Sequence, residues 1–300
     1  MSDSRRGLIH GIAAYFLWGI APMFWKLLPG VSWAELLAHR VVWGVIAFGV
    51  IAAAVGVGPV LREAARDRGT LAAMALSGVM LAINWGTFIW AVAHDHILDA
   101  SLGYFINPLI SVGLGMLVLG ERPRRLQWIA LAAAAIGVAI QTWYIGGLPW
   151  FSLVVAGSFG TYGLIRKVAR VDSLVGSTLE TALLVPLAAG YLAILALRGG
   201  GGLGHAATGT QLLLLSTGAV TAVPLLLFNS AARRLPLSTL GFLQYLGPTC
   251  QFILAVGVYS EPFAVEQLIA FGWIWLGLAV FTIDLVRRSG PGDRVSRTAR

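Results

Sequence analysis

Apolar runs of roughly 20 residues, each long enough to cross a ~30 Å hydrocarbon core as a helix, recur along the whole of this sequence. In lipid every backbone N–H and C=O needs a partner inside the protein, which leaves helices or closed barrels. The runs lack the residue-by-residue alternation of a barrel strand. Charged residues make up 11% of the chain, against about 25% in a soluble domain. The expectation is an all-α, polytopic membrane protein.

Ten spans fit: 8–28, 34–56, 70–93, 98–119, 126–145, 149–165, 174–197, 210–231, 238–259 and 265–286. The first follows MSDSRR without a small-residue cleavage site, so it reads as a retained membrane helix and not a signal peptide. With the N-terminus inside, the cytoplasmic segments hold Arg5, Arg6, Arg62, Arg66, Arg68, Arg122, Arg124, Arg125, Arg166, Lys167, Arg170, Arg233 and Arg234. Arg287, Arg288, Arg294, Arg297 and Arg300 complete the set, 18 of the 21 Lys and Arg, against Arg198 alone outside. That bias places both termini in the cytoplasm, in a bacterial-type inner membrane. It also accounts for the net charge of +8 without nucleic acid. The single cysteine, Cys250, lies within an apolar run, so disulfides play no part. Segment 56–69 has amphipathic spacing suited to the membrane surface. Segment 198–209 reads as a glycine-rich linker.

One stretch is written twice. Ser101–Pro123 (SLGYFINPLISVGLGMLVLGERP) returns as Thr239–Pro262 (TLGFLQYLGPTCQFILAVGVYSEP). Leu102-Gly103-Tyr104 reappears 138 positions later, while Pro108 and Glu121 reappear 140 positions later as Pro248 and Glu261. The second copy therefore carries two extra residues before its proline. The copies occupy spans four and nine, so the repeat unit is five helices, and an odd unit re-enters the membrane inverted. A weaker echo sets Ala13–Lys26 against Gly157–Arg170. The domains expected are 1–147 and 148–288, followed by a polar cytoplasmic tail, 289–300.

The segments AAYFLWGIAP, ELLAHRVVW, NWGTFIWAV, ASLGYFINPL, LGERPRRLQW and STLGFLQYLGP together resemble the RarD branch of the drug/metabolite transporter superfamily, across essentially the whole chain. The resemblance implies two EamA domains forming a ten-helix transporter with a central cavity. It is also similar to bacterial amino-acid exporters of the YddG type, which implies export of small metabolites without naming one.

From the residues themselves, the prolines of the repeat stand out. Pro108 and Pro248 each remove a backbone donor and free a carbonyl at membrane depth. Asn107 and Gly247 precede them, and paired interruptions of this kind often line a substrate site or gate. The alternative is a proline kink stabilised by neighbouring helices. Candidate substrate contacts in the first half are Tyr15, Trp18, His39, Arg40, Asn84, Trp85, Phe88, Tyr104 and Asn107. In the second half they are Tyr162, Asn229, Gln244 and Tyr245. Amides and hydroxyls would bond a zwitterionic head group while rings pack its side chain; alternatively the rings form interfacial belts and the amides bridge helices. Trp25, Trp33, Trp143, Trp150, Trp273 and Trp275 are assigned to belts or packing.

Charges inside spans are rare and informative. His39 and Arg40 lie within span two. Arg40 either holds a substrate carboxylate or pairs with Glu35, Asp95 or Asp99. Glu180, 140 residues further on, is the candidate for proton coupling or else a solvated group near a helix end. Inverted symmetry sets Arg40 and Glu180 at different depths, which argues against a direct pair. Gly103, Gly113, Gly115, Gly241 and Gly257 are expected at close helix interfaces.

No phosphate-binding loop surrounds Lys26 or Lys167, which excludes direct ATP drive. Neither Glu35/His39 nor His94-Asp95-His96 gathers further ligands, so no metal or other cofactor is expected. No G-x-S-x-G elbow occurs at Ser158 or Ser177. The function expected is secondary export of amphipathic metabolites, amino acids including aromatic ones, by a monomer in contact with membrane lipid. The alternatives are an efflux carrier for cationic or amphipathic drugs and an integral membrane enzyme on a lipid-linked substrate, for which no catalytic cluster stands out.

Overall fold

The structure, a computed structural model, describes residues 2–25, 27–28, 30–93, 97–146, 150–204, 206–258 and 264–289. All secondary structure among them is helical: α1 (Asp3–Trp25), α2 (Trp33–Val55), α3 (Gly58–Ala64), α4 (Arg68–Ala93), α5 (Ile97–Leu119), α6 (Arg125–Ile145), α7 (Trp150–Val168), α8 (Ser173–Leu197), α9 (Thr208–Arg234), α10 (Leu237–Gln244), α11 (Leu246–Gly257) and α12 (Val265–Ser289). Six of them, α1, α2, α4, α6, α8 and α9, are long and apolar enough to cross a membrane. Apolar stretches 103–119 and 268–284 lie within α5 and α12. Much of the exterior is apolar: Leu117, Trp143 and Leu197 are 87%, 89% and 87% exposed. Water would not tolerate such a surface and lipid does, so the chain is a polytopic helical membrane protein. The tail beyond 289, His94-Asp95-His96 and Glu261 lie outside the described residues.

The helix ends follow local chemistry. Ser32 caps α2 by accepting from the N–H of Glu35 at 3.2 Å, and Asp172 caps α8 by accepting from Leu174 at 2.9 Å, each satisfying a donor the helix leaves over. Gly56 ends α2 in the left-handed region, with φ 76°. The amphipathic segment forms only the short α3. Several boundaries differ from expectation by a few residues. Helix α1 starts at Asp3, and α7 continues to Val168, which moves Arg166 and Lys167 from a loop into a last helical turn.

The two copies of the repeated stretch also behave differently. Helix α5 runs unbroken through Pro108, against the expectation of an interruption there. The second copy breaks at Tyr245, between α10 and α11. The two extra residues fall between Phe242 and Pro248, and the break is where the chain absorbs them.

Helix α6 packs on α12, α5 on α7 and α10, and α1 on α9 and α11; α2 packs on α8 and α9, and α4 on α7 and α8. At the α6/α12 crossing, a Cβ on Gly137 would stand 2.6 Å from the Ala270 carbonyl oxygen, and one on Gly277 would stand 2.7 Å from that of Ala130. Only glycine permits such approach. One residue number rises as its partner's falls, so the two helices are antiparallel. Helix α10 meets α5 likewise: Gly241 faces the Pro108 carbonyl, and the Tyr245 hydroxyl donates to Phe105 O at 3.3 Å. In α2 and α8, Gly44 faces Thr181 while Ala38 and Val41 cluster with Leu184 and Ala188, again antiparallel. Gly103 and Gly115 lie in close contacts as expected, against Ser152 O and Glu121, whereas Gly113 and Gly257 face open space.

Candidate functional site

Two buried charges organise the interior. Arg40, seven residues into α2, is 7% exposed. Its Nε donates to Thr221 Oγ1 of α9 at 3.3 Å. The guanidinium carbon lies 4.0 Å from the Trp85 ring centroid and 4.9 Å from that of Trp25. Two indole faces thus replace part of the cation's hydration. Trp25, assigned to a belt or to packing, is one wall of this group. Tyr104 lies within electrostatic reach of the same cation and meets Phe88 edge-on at 5.3 Å.

Glu35 does not pair with Arg40. Its carboxylate accepts from the backbone N–H of Gly202, tying the glycine-rich segment to α2. Its other neighbour is His39 Nε2, at 3.6 Å. His39 Nδ1 accepts from Trp43 Nε1 at 3.1 Å, while Nε2 has no hydrogen-bond partner among the described residues. Asp95 and Asp99, the other candidate partners, lie outside the described side chains.

Glu180 is fully buried, which corrects the reading of a solvated group near a helix end. Ser77 Oγ donates to Oε2 at 2.7 Å, and the Tyr162 hydroxyl meets Oε1 at 3.1 Å. That hydroxyl also lies 2.9 Å from Asn229 Oδ1, and Asn229 Nδ2 donates to Ser177 Oγ at 2.9 Å. Arg166, 1% exposed, brings Nη1 to 3.7 Å from Oε2. Its own hydrogen bonds go to Met74 Sδ at 2.9 Å and Ser173 O at 3.1 Å, and its Nε has no partner among the described residues. Gly176 makes room for it; a Cβ there would collide with Nη1. Arg166 is therefore a core residue, not one of the loop cations.

An aromatic cluster is linked to the Glu180 group. Trp18 meets Phe159 and Phe228 at 5.6 Å each, Tyr15 meets Trp18 at 5.7 Å, and the Tyr162 ring stacks on Phe228 at 5.7 Å. Tyr162 thus belongs to the cluster through its ring and to the Glu180 group through its hydroxyl. Along antiparallel α2 and α8, Arg40 and Glu180 lie about five residues apart in level, roughly 7 Å of helix rise.

Other candidates fall elsewhere. Asn84 Nδ2 donates to Val155 O at 2.9 Å and Ser158 Oγ at 3.3 Å, bridging α4 to α7. Asn107 accepts from Ser111 one turn on, and its Nδ2 is buried without a partner among the described residues. Gln244, Tyr245, Gly247 and Pro248 are buried around the break in the second copy, and Gly247 faces Tyr15 and Gly19 of α1. Sequence reasoning missed Arg166, Ser77, Ser177, Thr221, Phe159 and Phe228 as parts of these groups. One signal was available: Ser77-Gly78 and Thr217-Gly218 are 140 residues apart. A Cβ on Gly78 would lie 2.9 Å from Glu180 O, and one on Gly218 would overlap Trp43 O. No cluster of three metal-ligating residues occurs among the described residues.

Comparison with known proteins adds a lineage. The pattern of the EamA-like transporter family matches residues 5–143. The chain is 45% identical over 287 residues to Protein RarD of Salmonella typhi, covering 95% of this chain and 97% of that one. It is 44% identical over 284 residues to Protein RarD of Escherichia coli (strain K12), covering 95% and 96%. It is 33% identical over 291 residues to the chloramphenicol-sensitive protein RarD of Pseudomonas aeruginosa, covering 96% and 97%. A solved crystal structure superposes with a TM-score of 0.72 at 20% identity, covering 94% of this chain and 99% of that one, a likeness of fold.

Proposed function

Because the chain belongs to the EamA-like transporter family, in its RarD branch, we propose that this membrane transporter is a secondary carrier working by alternating access. It exports small amphipathic metabolites, best matched by amino acids including aromatic ones. Its two halves, 1–147 and 148–288, are read as inverted five-helix repeats. Contacts at the 140-residue spacing support this: Gly137 on Ala270 has its counterpart in Gly277 on Ala130. The packing partners also exchange in register. α4 on α7 matches α9 on α1, and α2 on α9 matches α8 on α4. Antiparallel crossing of equivalent helices is what an inverted repeat requires. Both termini are placed in the cytoplasm by the distribution of basic residues, in an inner membrane, and the carrier is read as a monomer without cofactor or nucleic acid partner.

The observation that carries the substrate reading is Arg40, a buried guanidinium over the Trp85 and Trp25 rings and within electrostatic reach of Tyr104. A planar fork matches a carboxylate, and neighbouring rings suit an apolar or aromatic side chain. In proteoliposomes loaded with labelled phenylalanine, threonine or methionine, release is expected to exceed that from protein-free vesicles, and phenylalaninamide, which lacks the carboxylate, is expected to be released poorly. Equal handling of phenylalanine and its amide would remove Arg40 from head-group recognition. It would favour the second reading, efflux of cationic or amphipathic drugs, for which the ring faces around Trp18 offer cation–π contacts. The word chloramphenicol in one relative's name describes that relative. An enzyme on a lipid-linked substrate is the weakest reading, since the polar groups described sit in the bundle core and not at one interface.

A further inference from the structure

We infer that Glu180 is the proton-binding residue that couples transport to the pH gradient, with Tyr162, Ser77 and Arg166 as its positioning residues. This rests on the transport reading and deepens it. Tyr162 carries one hydroxyl hydrogen but faces two acceptor oxygens, Glu180 Oε1 at 3.1 Å and Asn229 Oδ1 at 2.9 Å. In the structure the Asn229 amide donates from Nδ2 to Ser177 Oγ and turns Oδ1 toward Tyr162. If Tyr162 donates to Asn229, the contact with Glu180 is a hydrogen bond only when the carboxyl carries the proton and donates it. Ser77 already donates to Oε2. The protonated acid therefore satisfies every atom of the chain Ser77–Glu180–Tyr162–Asn229–Ser177. In this arrangement the carboxylate leaves either Glu180 Oε1 or Asn229 Oδ1 without the Tyr162 hydrogen.

The second state is prepared as well. Arg166 stands 3.7 Å from Oε2 without a hydrogen bond to it, holding instead a thioether and a carbonyl, with Nε unpaired among the described residues. A guanidinium so poorly solvated gains a strong partner when the carboxyl ionises. The groups facing Glu180 are Ser77 and, through Arg166, Met74 from α4; Tyr162 and Arg166 from α7; and Asn229, through Tyr162, from α9. Among the described residues, α2 and α3 bring no titratable group within hydrogen-bond or ion-pair distance of it. One proton binds at Oε1 from the water on one side. It leaves to the other side as Arg166 closes onto the carboxylate, so the cycle moves one proton and consumes nothing else.

Infrared difference spectra of the full-length protein in lipid, between acid and alkaline buffer, test the site without any transported probe. A protonated carboxyl band that disappears on alkalinisation is expected, retained in Glu63→Gln on exposed α3 and absent in Glu180→Gln. An unchanged band in Glu180→Gln overturns the proposal. Tyr162→Phe keeps both charges and is expected to move the midpoint of that titration; an unmoved midpoint overturns it too, even if Glu180→Gln fails to fold. In proteoliposomes a gradient of about one pH unit is expected to sustain about a tenfold phenylalanine ratio, the free energy of one proton. Glu180→Gln is expected to exchange phenylalanine without sustaining the ratio. Exchange by the wild type that ignores the gradient refutes coupling. Absence of all amino-acid exchange refutes the substrate reading instead, and the infrared band still decides the proton site.

Discussion

Arg40 and Glu180 occupy the same place in two helices. Each lies seven residues beyond the first residue of its helix, behind a side-chain N-cap, Ser32 or Asp172. Yet the interior receives them in opposite ways. The cation is held by the faces of Trp25 and Trp85 and one hydroxyl, Thr221. The carboxyl is held by two hydroxyls and a guanidinium, in a chain of hydrogen bonds reaching Ser177. The difference follows from the ions themselves. A guanidinium is planar, delocalised and weakly hydrated, so π faces can replace much of its water. A carboxylate is compact and strongly hydrated, and must have donors or a proton. One fold position can thus hold either sign of charge when the neighbouring helices supply the matching chemistry.

The largest effect is expected where a charge is stranded. In alkaline buffer, where Glu180 is ionised, Arg166→Met alone leaves it without its counter-charge and should lower stability by about 3–5 kcal/mol, whereas Arg166→Met with Glu180→Gln should recover most of that loss. Thermal unfolding of the purified protein reads both, and a double variant as unstable as the single would mean the pair is not coupled. Next, Gly218→Ala places a methyl on the Trp43 backbone, forcing α9 from α2 at a cost of about 1–3 kcal/mol. Gly49→Ala, where the added carbon meets open space, should be close to neutral by the same measurement. Equal effects would show that the close approach beside the Arg40 group is dispensable. The smallest change in stability is expected for Arg40→Lys, which keeps the charge but loses the planar stack, about 0.5–2 kcal/mol. Its mark is functional: if Arg40 reads a carboxylate, phenylalanine flux falls about tenfold, one hydrogen-bonded contact's worth. Unchanged flux would leave Arg40 as a brace between α2 and α9, and the comparison with Glu180 would then be purely structural.

Much of this was readable from the chain. Its apolar lengths announced membrane helices, and most helix boundaries fall within a few residues of those expected, since a span is bounded by local hydropathy and caps. The singling out of Arg40 and Glu180 also came from local rarity, a charge where lipid discourages one. The errors share a cause. Pro108 and Pro248 were both expected to interrupt their helices, yet α5 runs through Pro108 and α11 runs through Pro248; only the copy with two extra residues breaks, at Tyr245. Arg166 beside Lys167 has the local appearance of a loop cation, and its burial depends on Gly176 of another helix making room. Asn84 shares a sequence neighbourhood with Trp85 and Phe88 but turns toward α7.

By itself, then, the sequence determined that the chain lives in lipid, that it is helical, and that a stretch of span four is written again in span nine, because those properties are sums or repeats of local terms. Only the tertiary structure decided which ring covers which charge, which carboxylate meets which guanidinium, and which of the two copies of the repeated stretch breaks. Those outcomes depend on pairs of residues such as Arg166 and Glu180, brought from different helices, whose contact no local pattern encodes.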